Sequence, residues 1–213
     1  MKILNLYAGI GGNRKLWTDC VVTAVENDQD IVKEYQRFFP NDVIVIGDAH
    51  QYLLDHFNEF DFIWSSPPCQ SHGQYRYNVG VIAKGFKPLY PDMKLYEEII
   101  LLKHHFKGMW VVENTCPYYS PLIAPTTILG RHLLWSNFGI AQKKFGAKDI
   151  RSKCKISDYD NLGFDISNSS ISNKRQVLRN CVDSDLGLYV LDEAKRTMSH
   201  KVGTLEGVFE AKS

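Results

Sequence analysis

The stretch "KILNLYAGIGG", residues 2–12, decides how the rest of the chain is read. An apolar run of strand length, KILNLY, breaks into a turn with glycines at 9, 11 and 12. A buried strand that stops on a glycine-rich turn opens many nucleotide-binding α/β domains, although the turn alone also fits a plain loop. The pattern then repeats. "VVTAVE" (21–26) and "VIVIG" (43–47) are further strands, with a short helix expected over 13–19 and a second over 28–39 that sets Ile31, Tyr35 and Phe38 on one face. A helix over 49–57 precedes a strand in "FDFIW". A helix over 92–106 carries Leu95, Ile99, Leu102 and Phe106, and "MWVVEN" (109–114) and "HLLWSNF" (132–138) complete the strands. Strands alternating with helices predict an α/β fold, a doubly wound and mostly parallel sheet. Ligands of such sheets sit outside the carboxyl ends of the strands.

Composition agrees with one folded domain. The 213 residues are 44% hydrophobic and 23% charged, enough to bury a sizeable core. No apolar run has the length of a membrane span, and "MKILNLYAG" is too short for a secretory signal. A cytoplasmic protein without membrane contact is expected. Five cysteines, odd in number and widely spaced, suit neither a disulfide framework nor a metal site. With a net charge of +1, a nucleic-acid partner would need a local basic patch.

Three successive strand ends carry the glycine turn, then Glu26, then Asp48. Glu26 suits ribose hydroxyls, and Asp48 suits an adenine amine, although each carboxylate is equally placed to cap the following helix. Together they form the layout of an adenosine site. The compact turn, with no arginine after Glu26 for a further phosphate, favours S-adenosylmethionine over a dinucleotide. At the fourth strand end stands "SSPPCQ" (65–70). Pro67 and Pro68 fix two φ angles, so Cys69 is aimed rather than loose, in a polar loop that makes it a candidate nucleophile. Glu113 ends the fifth strand after an apolar run. Burial there is expected to raise its pKa and let it carry a proton at neutral pH.

In this order, "NLYAGIGG", "VEND", "GDA", "PPCQ" and "VVENT" resemble the DNA cytosine-5 methyltransferases. "LGRHLLWSNF" (129–138) and "RNCVDSDLGLYVLDEA" (179–194) resemble two further elements of that family. The resemblance implies the Rossmann-like fold of S-adenosylmethionine-dependent methyltransferases. It also implies a catalytic domain over 1–139, a short target-recognition insert over 140–178, and a segment over 179–213 that returns to the catalytic domain. It assigns Cys69, Pro68, Glu113, Asn114, Arg131 and His132 to catalysis. Tyr7, Gly9, Ile10, Gly12, Glu26, Asn27, Asp48, Ala49, Leu95 and Asn180 fall to the cofactor, whose spent form would be S-adenosylhomocysteine. Asn114 would brace the catalytic loop. The partner implied is double-stranded DNA, met by a monomer without a metal. The methylation would serve restriction-modification or a phage in a bacterial cytoplasm.

The chain departs from the family's pattern at Asn5, Tyr7, Thr115 and Arg179, and a Gln-x-Arg-x-Arg element is reduced to Arg131 and His132. In the insert, "KKFGAKDIRSKCK" (143–155) offers Lys143, Lys144, Lys148, Arg151, Lys153 and Lys155 to phosphates, while 161–175 reads as polar loop. The loop 71–91 is expected to close over DNA. Three other readings share parts of the pattern. They are an RNA (tRNA) cytosine-5 methyltransferase, a catalytically silent regulatory homologue, and a nucleotide-dependent oxidoreductase that would leave the Pro-Pro-Cys-Gln turn unexplained.

Overall fold

The computed structural model describes residues 1–145 and 162–210, the last ten by backbone alone. Among the described residues seven strands form one sheet in the order β3-β2-β1-β4-β5-β7-β6. They are β1 (Lys2–Leu6), β2 (Val21–Glu26), β3 (Val43–Ile46), β4 (Phe62–Ser65), β5 (Met109–Thr115), β6 (Thr127–Leu129) and β7 (His132–Ser136). The first five run parallel; β7 is antiparallel to both β5 and β6. Strand order reverses between β1 and β4, and a crevice opens at such a switch point. Among the described residues five α-helices accompany the sheet: α1 (Gln29–Phe38), α2 (Ala49–His56), α3 (Lys94–His105), α4 (Lys174–Asn180) and α5 (Ser184–Glu210).

Side chains alternate along each strand, so neighbouring residues feed two cores. Ile3, Phe62, Trp64, Val111 and Leu134 pack on one face with Leu186, Val190 and Leu191 of α5. Leu4, Leu6, Ile63 and Val112 pack on the other with Leu53 of α2 and Leu95, Ile99 and Leu102 of α3. Asp28 caps α1, its carboxylate accepting from the amides of Asp30 and Ile31.

Four expectations need correction. Residues 13–19 are turns, not a helix. Asn13 exchanges side-chain hydrogen bonds with Asn5. Arg14 grips Asp42 through two bonds of 2.8 and 2.9 Å and also donates to the Trp17 carbonyl. These side-chain bonds hold the backbone in place of a helical ladder. The loop 71–91 contains a π-helical segment, Arg76–Ala83. Strand β6 has no counterpart in the sequence reading. The described part of the expected loop, 162–175, is largely irregular but not simply polar: Leu162, Phe164, Ile166 and Ile171 are buried with Ile10, Leu178 and Cys181. Phe164 meets the edge of Phe38 at 4.8 Å, which fastens this stretch to α1.

Candidate active site

At the end of β1 the chain turns through left-handed backbone at Tyr7 (φ 55°), Gly9 (φ 55°) and Gly11 (φ 85°). A β-carbon on Gly9 or on Gly47, at the ends of β1 and β3, would meet nothing within 4 Å. Between these two open positions, on the central strand of the three, stands Glu26. Its Oε2 accepts from the Gly9 amide at 3.0 Å, and its Oε1 from the amides of Asn27 and Asp28. The Gly9 bond ties the turn to β2. Each carboxylate oxygen keeps acceptor capacity beyond these bonds.

The other expected cofactor residues stand in different surroundings. Asp48 caps α2, accepting from His50 and Gln51, while its second oxygen lies 3.2 Å from Lys94 Nζ. These partners hold its carboxyl below the usual range, and the capping role that the sequence offered for Asp48 is the one the described contacts show. Ile10, Ala49 and Leu95 are buried in apolar clusters, so their side chains serve packing and only their backbone is left to offer a ligand. Gly12 lies against the C-terminal segment: a β-carbon there would stand 2.5 Å from the Val182 carbonyl. Asn27 is exposed, as is Asn180 at the end of α4.

One residue that sequence reasoning missed ties this region together. Glu98 of α3 is fully buried and accepts from Tyr7 Oη at 2.6 Å and from Ser65 Oγ, with His50 Nδ1 at 3.0 Å. Its signal was an acid on the apolar face that Leu95, Ile99 and Leu102 define.

Strands β4 and β5 run side by side, with Ser65 opposite Val112. Cys69 and Glu113 therefore leave the sheet at adjacent carboxyl ends. Pro67 is buried and Pro68 exposed; the chain then enters a short 3-10 turn, Cys69–Ser71. Asn114 Nδ2 donates to the Pro67 carbonyl at 2.9 Å, within the protein. The next strand, β7, adds His132. On an antiparallel pair, Glu113 faces Leu134 and lies diagonal to His132 on the same side. His132 Nδ1 is 2.6 Å from Glu113 Oε1. Arg131 Nε donates to His132 Nε2 at 3.4 Å, and its Nη2 reaches the Arg179 carbonyl at 3.4 Å.

The electrostatics of this group correct a further expectation. Burial pushes the Glu113 carboxyl up, and no other single influence is larger. Yet the hydrogen bond and charge of His132, the Ser66 hydroxyl and the Arg131 guanidinium together hold it below the usual carboxylate range. Glu113 is thus a carboxylate at neutral pH, not a protonated acid. Burial and the Glu113 charge push the Cys69 thiol up, against Arg131 and Arg179, which pull it down. Arg179, set where the resemblance expects glycine, is therefore part of the electrostatic surroundings of the thiol.

Beyond Cys69, a small cleft is lined by Gln70, Ser71, Arg76, Tyr77, Leu89 and Tyr118. Tyr77 stacks on Tyr118 with centroids 4.2 Å apart. Ile82, Phe86, Leu89 and Tyr90 of the same loop are exposed. In the insert, Lys143 Nζ lies 4.5 Å from the Tyr189 ring centroid and 5.5 Å from that of Phe145. Lys148, Arg151, Lys153 and Lys155 lie outside the described residues. Among the described residues no helix is long and apolar enough to cross a membrane, and no group of three or more His, Cys, Asp or Glu is placed to hold a metal.

The strand order, with its antiparallel β7 between β5 and β6, is that of a Rossmann-like α/β fold. Residues 1–93 match the family described as C-5 cytosine-specific DNA methylase. Among solved structures, a mutant DNMT2 from Spodoptera frugiperda is 24% identical over 54% of this chain and 35% of its own, with a TM-score of 0.38. A protein described as a DNA modification methyltransferase encoded within an Escherichia coli prophage is 19% identical over 56% of this chain and 33% of its own, TM-score 0.37. A glycopeptide N-methyltransferase, MtfA, complexed with S-adenosyl-L-methionine, is 16% identical over 63% and 57%, TM-score 0.35. The chain thus matches about a third of the length of the first two. No curated protein matches it.

Proposed function

We propose that this protein methylates carbon 5 of cytosine in double-stranded DNA, through a covalent bond from Cys69 to a base turned out of the helix. The observation that supports this most is the pairing of β4 with β5. It sets a proline-aimed thiol beside the one buried carboxylate of the neighbouring strand end, with Asn114 tying the thiol's loop to β5. Carbon 5 of cytosine is a weak nucleophile. Addition of the Cys69 thiolate to carbon 6, with a proton passing from solvent through the Glu113 carboxylate to ring nitrogen 3, makes carbon 5 enamine-like and reactive. Reaching either carbon requires the base to leave the stack.

The methyl donor is S-adenosylmethionine, which supplies an electrophilic methyl on a sulfonium. The open space over Gly9 and Gly47, on either side of Glu26, fits an adenosine. Glu26 has acceptor capacity for the ribose hydroxyls, and the amide-rich turn at Gly9 and Gly11 lets backbone approach closely. Asp48 contributes through its Lys94-paired oxygen. DNA would be held by Lys144 and the basic run beyond it, and by the exposed loop 71–91. Lys143, already placed over two rings, contributes less. An insert of this length can present few side chains to base edges, so a recognition site of about two to four base pairs is expected.

The test is incubation with S-adenosylmethionine carrying a tritiated methyl group, against duplex DNA and tRNA side by side. Label in DNA, and a denaturation-resistant adduct with 5-fluorocytosine DNA that Cys69→Ser cannot form, is the expected result. Label in tRNA alone would reassign the substrate, and a fully active Cys69→Ser protein would refute the mechanism.

A further inference from the structure

We propose that Arg179, with Arg131 beside it, forms a phosphate-binding site that holds a backbone linkage flanking the target cytosine. The inference rests on the reading of Cys69 and Glu113 given above. It adds a contact to nucleic acid outside both the basic run of the insert and the loop 71–91.

It starts from how the arginines are matched. Elsewhere in the fold they have carboxylate partners: Arg14 pairs with Asp42, Arg37 with Glu34 and Arg196 with Glu193. Around Cys69 they do not. Among the described residues neither Arg131 nor Arg179 forms an ion pair, and Arg76, in the cleft beyond Cys69, keeps a buried Nε without a hydrogen-bond partner. Glu113, which shares these surroundings, is already held by His132. Guanidinium groups gathered without a matching acid cost electrostatic energy that folding alone does not recover, and rules broken in this way mark functional surfaces.

The geometry sets the two arginines together. Arg131 lies on the β6–β7 turn, and its Nη2 donates to the Arg179 carbonyl at 3.4 Å, so one guanidinium rests against the backbone that carries the other. Arg179 is half-buried near the end of α4. The connection that follows is fixed, because Cys181 and Val182 are buried against Gly12. Both charges reach the nucleophile: burial and Glu113 push the Cys69 thiol up, and Arg131 and Arg179 pull it down. A cytosine seated between Cys69 and Glu113 stays joined to its strand through the ribose, so its flanking phosphates pass close to the thiol. A guanidinium there presents a fork of N–H donors that a phosphate accepts in pairs. Arg175, exposed and one turn before Arg179, carries the same charge along the face of α4.

As the basic residue in the last turn, Arg179 also favours the dipole of α4. Any cation at that place would do so, and nucleic-acid binding would not register it. The glycine that the resemblance expects at 179 has no side chain to offer a phosphate. With the Gln-x-Arg-x-Arg element reduced to Arg131 and His132, Arg179 brings a second guanidinium to the thiol from α4.

The experiment measures binding of the wild type, Arg179→Ala and Arg179→Lys to a duplex containing the cytosine that labelling identifies. In two further duplexes the linkage on one side of that cytosine, then the other, is a neutral methylphosphonate. On the all-phosphate duplex Arg179→Ala should bind about tenfold or more weakly, as the loss of a charge-assisted hydrogen bond requires. Its plot of log affinity against log salt should flatten by about 0.9, the share of one phosphate contact. One methylphosphonate duplex should weaken the wild type by a similar factor, yet leave Arg179→Ala within about twofold of its own affinity for the all-phosphate duplex. Arg179→Lys should keep the salt slope but bind more weakly than the wild type, because an ammonium lacks the fork. An Arg179→Ala protein that binds every duplex as the wild type does, or that loses the wild-type factor again on each methylphosphonate, overturns the inference. If Arg179→Ala does not fold, Arg179→Gln goes through the same comparison. A wild-type protein that methylates no cytosine in duplex DNA removes the proposed function instead, a result distinct from an active enzyme indifferent to Arg179.

Discussion

Tyr7 donates its phenolic hydrogen to Oε1 of Glu98 across 2.6 Å, from a backbone that it holds at φ 55°. The acceptor is a carboxylate buried without exposure in α3, and the donor opens the glycine turn at the end of β1. A tyrosine in left-handed backbone is strained. The hydrogen bond to a buried charge is one contact that offsets this cost, and Tyr7→Phe removes it without changing the ring. Unfolding free energy should fall by about 1–3 kcal/mol, the cost of depriving a buried charged acceptor of a partner. Equilibrium denaturation measures it, and a loss below about 0.5 kcal/mol would mean that Ser65 and His50 satisfy Glu98 unaided.

His50 gives the same network a pH dependence. The hydrogen bond to Glu98 raises its pKa above the ordinary 6.5, outweighing the burial that lowers it. A raised folded-state value means that the protonated imidazole stabilises the fold fully below about pH 6.5, and that this contribution is lost as pH rises through the folded-state value. The urea midpoint of the wild type should therefore decline from about pH 6 to about pH 8. His50→Gln should flatten the decline. A midpoint that rises across this range in the wild type would contradict the assignment.

The thiol can be probed without substrate. Burial and then Glu113 hold Cys69 in its protonated form, while Arg131 and Arg179 favour the thiolate. Alkylation by iodoacetamide follows the thiolate fraction. At fixed mildly alkaline pH, Glu113→Gln should speed modification of Cys69, and Arg179→Ala should slow it, each by about threefold or more, since one pKa unit is tenfold in thiolate. Peptide mass spectrometry separates Cys69 from the other cysteines. Equal rates in both variants and the wild type would show that neither charge reaches the sulfur.

These residues also show which parts of the molecule the sequence could disclose. Strand ends were readable because a buried strand must finish in a polar or glycine-rich break, and Glu26, Asp48, Cys69 and Glu113 each fall at one. Residues 13–19 were not, because their shape depends on Asp42 and Asn5, which lie outside the segment. The burial of Leu162, Phe164, Ile166 and Ile171 follows no helical or strand period, and depends on a face that only α1 provides. The ionisation of Glu113 turned on His132, nineteen positions on, brought back by the turn of β7. Local patterns disclosed which residues stand at the site; their charge states required the neighbours that folding supplies.

Gly12 tests how the C-terminal segment is held against the cofactor turn. A β-carbon at this position would stand 2.5 Å from the Val182 carbonyl oxygen, 2.9 Å from Cys181 Cβ and 3.1 Å from the Val182 amide nitrogen. Two of these neighbours are backbone atoms and none is the far end of a flexible side chain, so the collision cannot be relieved by a rotamer change. Cys181 and Val182 are both buried, and Val182 packs in the core that α5 shares with the sheet. Gly12→Ala must then push the α4–α5 connection outward or bend the turn at Gly11, at a cost of about 1–3 kcal/mol typical of overpacking. The strain falls on Arg179 as well, two residues before Cys181, and so on the surroundings of Cys69. The variant should unfold at lower denaturant, and its Cys69 should alkylate at an altered rate. Gly9→Ala provides the contrast: its β-carbon meets nothing, so its cost is the left-handed backbone alone, about 1–2 kcal/mol, and its Cys69 should alkylate as in the wild type. If Gly12→Ala keeps wild-type stability and wild-type alkylation, the C-terminal segment does not pack on the glycine turn in solution.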